Sequence, residues 1–128
     1  MSDVVYDAGA LIAAERNDRA FWADHRVRLE QGTIPVAPAT VVAQVSRSPR
    51  QAQLRRLLRG CDVASLGEGT AHRVGRILAR TGTADIIDGA VAAEAIARCA
   101  AVVTSDRTDI AHLLHSAGTD LPILDIDI

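Results

Sequence analysis

"VVTSDRTDI", residues 102–110, carries a short β-branched run into one carboxylate, Asp106, and reaches a second, Asp109, three residues later. "DVVYDAGALIA", residues 3–13, has the same form: Val4, Val5 and Tyr6 lead into Asp7, and helix-forming residues follow. An acid at the junction of strand and helix has two physical explanations. It is either an N-cap, accepting a backbone N–H for about 1 kcal/mol, or part of a site at the strand tips. In open α/β sheets, ligands bind outside the carboxyl ends of the strands, where the strand order switches.

The rest of the chain alternates in the same way. Residues 3–6, "TIPVAP" (33–38), "CDVASL" (61–66), "AAVVTS" (100–105) and "LPILDIDI" (121–128) are apolar enough for buried strands. Between them lie helix-patterned segments. "RAFWADHRVRLEQG" (19–32) and "RQAQLRRLLRG" (50–60) each end in Gly, and "GEGTAHRVGRILARTG" (67–82) stops at Gly82; glycine is common just past a helix end. "ATVVAQVSRS" (39–48) reads as a helix that breaks at Pro49. "TADIIDGAVAAEAIARC" (83–99) and "DRTDIAHLLHSAG" (106–118) are two more. Alternation of this kind predicts an α/β fold, a central parallel sheet of four to five strands with helices on both faces. With no linker or repeat in 128 residues, one domain over 1–128 is expected.

Composition narrows the function. The net charge is −2, and all fourteen basic residues are Arg. Arg47, Arg50, Arg55, Arg56 and Arg59 share an acid-free segment, whereas the aspartates gather elsewhere, so a near-neutral total hides a basic and an acidic region. The arginine run is a candidate RNA contact, because guanidinium binds phosphate in a forked geometry; a solvated helical face is its ordinary reading. Tyr6, Phe21 and Trp22 are the only aromatics, too few for a base-stacking platform. Phe21 and Trp22 read as core anchors, or as the lining of a partner's groove between the early helices. Cys61 and Cys99 lack metal-ligand spacing and read as small core residues in a reducing compartment. Acids at positions 3 and 7 interrupt any signal peptide, and no run is long enough for a membrane span, so a cytoplasmic protein is expected.

If their strands are neighbours, Asp7 and Asp106 converge at one sheet edge. Asp85 and Asp88, three apart, share the first face of their helix just before the Asp106 strand. Taken singly, each is explained by capping or by the helix dipole. Taken together they repel, and crowded carboxylates must bind protons or a cation. A hard, all-oxygen set without His or Cys suits Mg²⁺ or Mn²⁺.

"VVYDAGALIA", "TADIIDGAVAAEA" and "VVTSDRTDI", in that order, make the chain resemble the PIN-domain family, and more narrowly its VapC-type toxin ribonucleases, over essentially its whole length. The resemblance implies a PIN-like domain, an Mg²⁺- or Mn²⁺-dependent pocket that cleaves RNA with a metal-activated water, homodimers, and inhibition by a VapB-type antitoxin. On these motifs Asp7, Asp88 and Asp106 are the catalytic acids, and Asp7, Asp85, Asp88 and Asp106 the metal ligands. The departure is at "VVAQV": where such families carry Glu, this chain has Gln44, which is neutral and cannot act as a general base. Glu15, two helical turns beyond Asp7, is a candidate replacement charge, or a surface acid beside Arg16 and Arg19. Asp109 is expected at most to support the site.

Gln44 keeps a second class open, a catalytically weak or silent module that binds RNA or a partner. A phosphoacceptor receiver domain resembles the chain less well, since it needs a Lys and this chain has none. "DAGALI" after the first strand is not a Gly-rich phosphate loop, which sets dinucleotide binding aside.

Overall fold

The computed structural model describes residues 3–126, which form five strands and seven helices. The strands are β1 (Val4–Tyr6), β2 (Val36–Pro38), β3 (Asp62–Ala64), β4 (Ala101–Thr104) and β5 (Ile123–Asp125). The helices are α1 (Ala8–Glu15), α2 (Arg19–Glu30), α3 (Ala39–Val45), α4 (Ala52–Arg59), α5 (Glu68–Thr81), α6 (Ile86–Arg98) and α7 (Arg107–Ser116). All four strand pairings are parallel, in the order β3-β2-β1-β4-β5.

That order decides where a site can form. The chain winds outward from β1 to β2 and β3, then crosses back over to β4 beside β1 and continues to β5. Right-handed crossovers put α1–α4 on one face of the sheet and α5–α7 on the other. The contacts follow this division except that α3 also touches α6: α1 packs on α2, α3 and α4, while α6 packs on α5, α7 and the strands β1, β2 and β4. The switch point lies between β1 and β4, which pair in register from Val4↔Ala101 to Tyr6↔Val103. Asp7 and Asp106 therefore leave adjacent strand tips.

The central strands β1, β2 and β4 are buried throughout, as strands covered on both faces should be. The edge strands differ from the uniformly buried run expected: β3 and β5 are largely exposed, because each has a neighbour on one side only. The β1, β2 and β4 side chains form the core with Leu11, Leu54, Leu57, Val91, Ile110 and Leu114. Phe21 is buried in it, whereas Trp22 is half-buried with the Arg56 guanidinium 4.2 Å from its ring centre. Cys99 departs from the expected core position: it caps α6 in a left-handed conformation (φ 52) and is exposed. The α3 helix stops at Val45, earlier than its pattern suggests, because Ser46 turns extended and the Gln51 side chain accepts the Arg47 and Ser48 N–H groups at 2.6 and 3.1 Å. Among the described residues no helix is long and apolar enough to cross a membrane.

One glycine holds the two strand tips together. A Cβ on Gly9, in the first turn of α1, would lie 2.9 Å from the Ser105 backbone nitrogen and 2.8 Å from the Ser105 Cβ. Only hydrogen at this position lets α1 start so near the end of β4. Gly9→Ala should therefore destabilise the protein by about 1–3 kcal/mol, as overpacking does. A shift of the urea unfolding midpoint at unchanged slope would show it; an unchanged midpoint would mean that the junction yields freely.

Candidate metal centre

The site begins with a buried hydroxyl. Thr104, fully buried at the end of β4, donates from Oγ1 to Asp7 Oδ2 at 2.7 Å and accepts the Asp106 backbone N–H at 2.9 Å. Asp7 Oδ1 accepts the Ala8 N–H at 2.7 Å, and the Asp7 N–H donates to the Val103 carbonyl at 3.0 Å. Asp7, 6% exposed, is thus fixed by α1 and by the neighbouring strand at once. It does the work of a cap and faces the site as well.

Asp106 occupies the N-cap position of α7, but its side chain makes no capping bond. With its backbone at φ −128, ψ 67, the exposed carboxylate leaves the first N–H groups of α7 uncapped, so the ordinary explanation for a strand-end acid fails here. Asp85 behaves in the opposite way. One of its oxygens accepts both the Ile87 and Asp88 N–H groups at 3.0 Å, a complete cap for α6. Asp88 follows in the first turn, half-buried, beside that cap.

These acids are crowded enough to disturb one another. Burial, and then the charges of Asp85, Asp7, Asp106 and Asp109, push the Asp88 carboxyl from 3.8 up to about 7. Hydrogen bonding to the Asp106 carboxyl, together with its charge, raises exposed Asp109, and His112 opposes the shift. A shared proton between two carboxyls is what repelling acids adopt when no cation lies between them. Among the described residues, Asp88, Asp106 and Asp109 form a group in which one carboxylate oxygen of each lies within 4.8 Å of those of the other two. Three hard oxygen donors at that spacing fit a small divalent cation.

The arrangement differs in part from the expected set. Asp88 and Asp106 meet as expected, but the third member of the group is Asp109, which lies one turn along α7 on the face of Asp106. Asp7 stands beside the group, close enough to raise Asp88, with both its oxygens already hydrogen-bonded. Asp85 is committed to its cap. Glu15 is neither a surface acid nor a member of the group: its Oε1 accepts the Leu54 N–H at 2.9 Å and caps α4 from a distance. Gln44 is exposed and shares a hollow with Ala8, Ile12, Glu15 and Gln51, next to the Asp7 junction.

The arginine segment is less available than its sequence suggests. Arg47 donates to the Ala43 and Ser46 carbonyls, Arg55 to the Pro49 carbonyl, and Arg56 lies on Trp22; Arg50 is exposed. Two residues escaped the sequence reading. Thr104 looked like one more strand residue, and Gly9 like a helix residue, because the partner of each lies across the β1–β4 pair. The Thr–X–Asp spacing at 104–106 was the available signal.

No protein-family model matches the chain, and no curated protein sequence does. Solved structures do match. The VapBC2 complex from Rickettsia felis bound to a DNA fragment from its promoter gives a TM-score of 0.71 at 15% identity, covering 98% of this chain and 99% of that one. DNA-bound VapBC from Salmonella typhimurium gives 0.63 at 18% identity, covering 99% and 98%. FitAcB from Neisseria gonorrhoeae gives 0.60 at 14% identity, covering 95% and 96%. The chain thus has an α/β fold similar to chains of these complexes, with a five-stranded all-parallel sheet.

The expected membership of the PIN-domain family, as a VapC-type toxin, is corrected by these findings. No family model takes the chain in, and neighbours of such low identity, from complexes that pair two components, carry the fold alone. The physical reason lies in the motifs. Two are strand–acid–helix junctions and the third joins α5 to α6, and at two of the three the acid is a working cap, Asp7 on Ala8 and Asp85 on α6.

The Asp88 shift has a consequence for stability. A carboxyl whose folded pKa is raised favours the folded state while protonated. That contribution is complete below about 4 and is lost as pH rises through about 7. In metal-free buffer the thermal midpoint should fall between those limits, Asp88→Asn should flatten the fall, and Mg²⁺ should restore the midpoint at neutral pH. Scanning fluorimetry across pH reads all three, and identical slopes for wild type and variant would contradict the crowding of Asp88.

Proposed function

We propose that the chain is a divalent-metal-dependent endoribonuclease working within a toxin–antitoxin pair in the cytoplasm, restrained by a cognate antitoxin. The observation that carries the reading is the acid group at the switch point, with Asp106 spared from capping and Asp88 raised to about 7. Asp88, Asp106 and Asp109 would hold Mg²⁺ or Mn²⁺ directly, with Asp7 bordering the site and Asp85 reaching it through water. A bound divalent ion supplies an activated water and neutralises charge on a phosphoryl group. The chain's own part is to hold the ligands rigid: Thr104 fixes Asp7 and the Asp106 backbone, and Asp85 fixes the first turn of α6.

A partner is supported by a second feature. A hollow of about 640 Å³ between α2 and α4 is lined by Trp22, His25, Val27, Leu29 and Arg56. Val27 and Leu29 are 48% and 40% exposed, an apolar lining suited to a partner helix. The VapBC and FitAcB neighbours are complexes, which supports the same reading. The expected homodimer stays part of the proposal.

Gln44 favours a second reading, a silent module that binds RNA or a partner on the same fold. Glu15 does not restore the missing charge, being spent on α4. Cleavage of a fluorescent RNA by purified protein separates the two. The enzyme reading expects cleavage with Mg²⁺ or Mn²⁺ and none in EDTA. Asp106→Asn should lower the rate by at least about 10²-fold, since metal stabilisation contributes several kcal/mol. Gln44→Glu should lower the Mg²⁺ concentration that gives half-maximal rate. RNA binding without cleavage at any metal concentration would favour the silent module.

A further inference from the structure

The acid cluster poses a problem for a polyanionic substrate. Asp7, Asp85, Asp88, Asp106 and Asp109 would repel the strand they act on, unless cations beside them draw it in. Arg47, Arg55 and Arg56 are tied to carbonyls or to Trp22, as described above. The α5 helix carries another set. Arg73, Arg76 and Arg80 line one rim of a groove of about 200 Å³, whose floor includes Ile77, Ala93 and Ile96.

Three observations point to a phosphate-bearing ligand there. First, the three arginines lie at helical spacing on one face of α5. Among the described residues, the ion pairs involve His72, Arg98 and Arg107, and none of these three. Second, the Nε of Arg73 is buried without a partner, while its Nη2 reaches only Thr70 Oγ1 at 3.3 Å. A buried unpaired donor is unfavourable, so an anion that draws the guanidinium out and pairs with it recovers that cost. Third, the row leads to the acids. Arg80 stands two residues before Gly82, the left-handed cap from which the chain passes to Asp85. Along α6 the floor lies five to eight residues from Asp88, about 7.5–12 Å. A stacked strand, with one phosphate per about 3.4 Å, covers that distance in two to four nucleotides.

We infer that the groove between α5, α6 and α7 holds the RNA strand flanking the scissile phosphate, with Arg73, Arg76 and Arg80 as positioning residues on its phosphates. The inference rests on the ribonuclease reading and names how that site takes its substrate. The groove contains no aromatic ring, so the contact is to phosphate and ribose and selects no base. An acidic protein segment is the competing occupant; the run of the row toward the acids favours the nucleic acid.

The test is binding of a short, unstructured oligouridine to the full chain in EDTA, read by fluorescence anisotropy across salt concentration. Arg73→Ala/Arg76→Ala/Arg80→Ala should weaken binding by about tenfold or more, and should reduce the salt slope by about two, at roughly 0.7 per phosphate lost. The triple Lys variant should keep the slope. With metal present, the Ala variant should raise KM and leave kcat near wild type. Circular dichroism checks the fold; should the triple variant not fold, Arg76→Ala and Arg80→Ala, both exposed, carry the measurement. Unchanged affinity and slope would overturn the inference, as would wild-type protein that binds no RNA. Loss of binding to an acidic amphipathic peptide, with RNA binding intact, would also overturn it and hand the groove to a protein. Arginine-dependent RNA binding without cleavage would remove the ribonuclease reading and leave the groove assignment standing.

Discussion

One buried hydroxyl ties the two halves of the site together. Thr104 gives its proton to Asp7 and takes the N–H of Asp106, so a carboxylate on one strand and a backbone turn on the next are set by the same atom. The sheet order makes this possible, because β1 and β4 are neighbours only through the long crossover by way of β2, β3, α5 and α6. Gly9 completes the junction by leaving room for Ser105. The rest of the site is built around this seam: α6 brings Asp88 to it, and the first turn of α7 brings Asp109.

The acids divide by what the backbone already asks of them. Asp85 answers the open N–H groups of α6 with one oxygen, and the cap leaves its other oxygen unused. Asp7 is divided between α1 and Thr104. Asp106 owes nothing to its helix, and Asp109 and Asp88 stand in first turns, where the helix dipole tolerates negative charge. That tolerance is partial: Asp88 is still pushed to about 7. The combination of preformed donors and unrelieved repulsion is what makes the cluster a candidate cation site, beyond a set of caps.

Charge is distributed around that cluster in two ways. The arginines of residues 47–59 mostly close off helix ends or cover Trp22, and so stabilise the α1–α4 face. Those of α5 pair with no carboxylate among the described residues and border a groove on the opposite face. A count of basic residues cannot tell these apart, because guanidinium satisfies a carbonyl as readily as a phosphate.

The sequence by itself determined the order of elements, the parallel sheet and two of the three clustered acids, Asp88 and Asp106. Those features follow from local pattern: β-branched runs, helical periodicity, glycine stops and an acid at each junction. It also marked Gln44 as a departure. It could not separate Asp85 the cap from Asp106 the free carboxylate, since both occupy N-cap positions and only backbone geometry distinguishes them. Tertiary structure alone decided that Glu15 caps α4 across 39 residues, that Asp109 joins the cluster, and that Thr104 joins Asp7 to Asp106 across 97. Contacts at such separations depend on which strands lie side by side, and no local pattern encodes that.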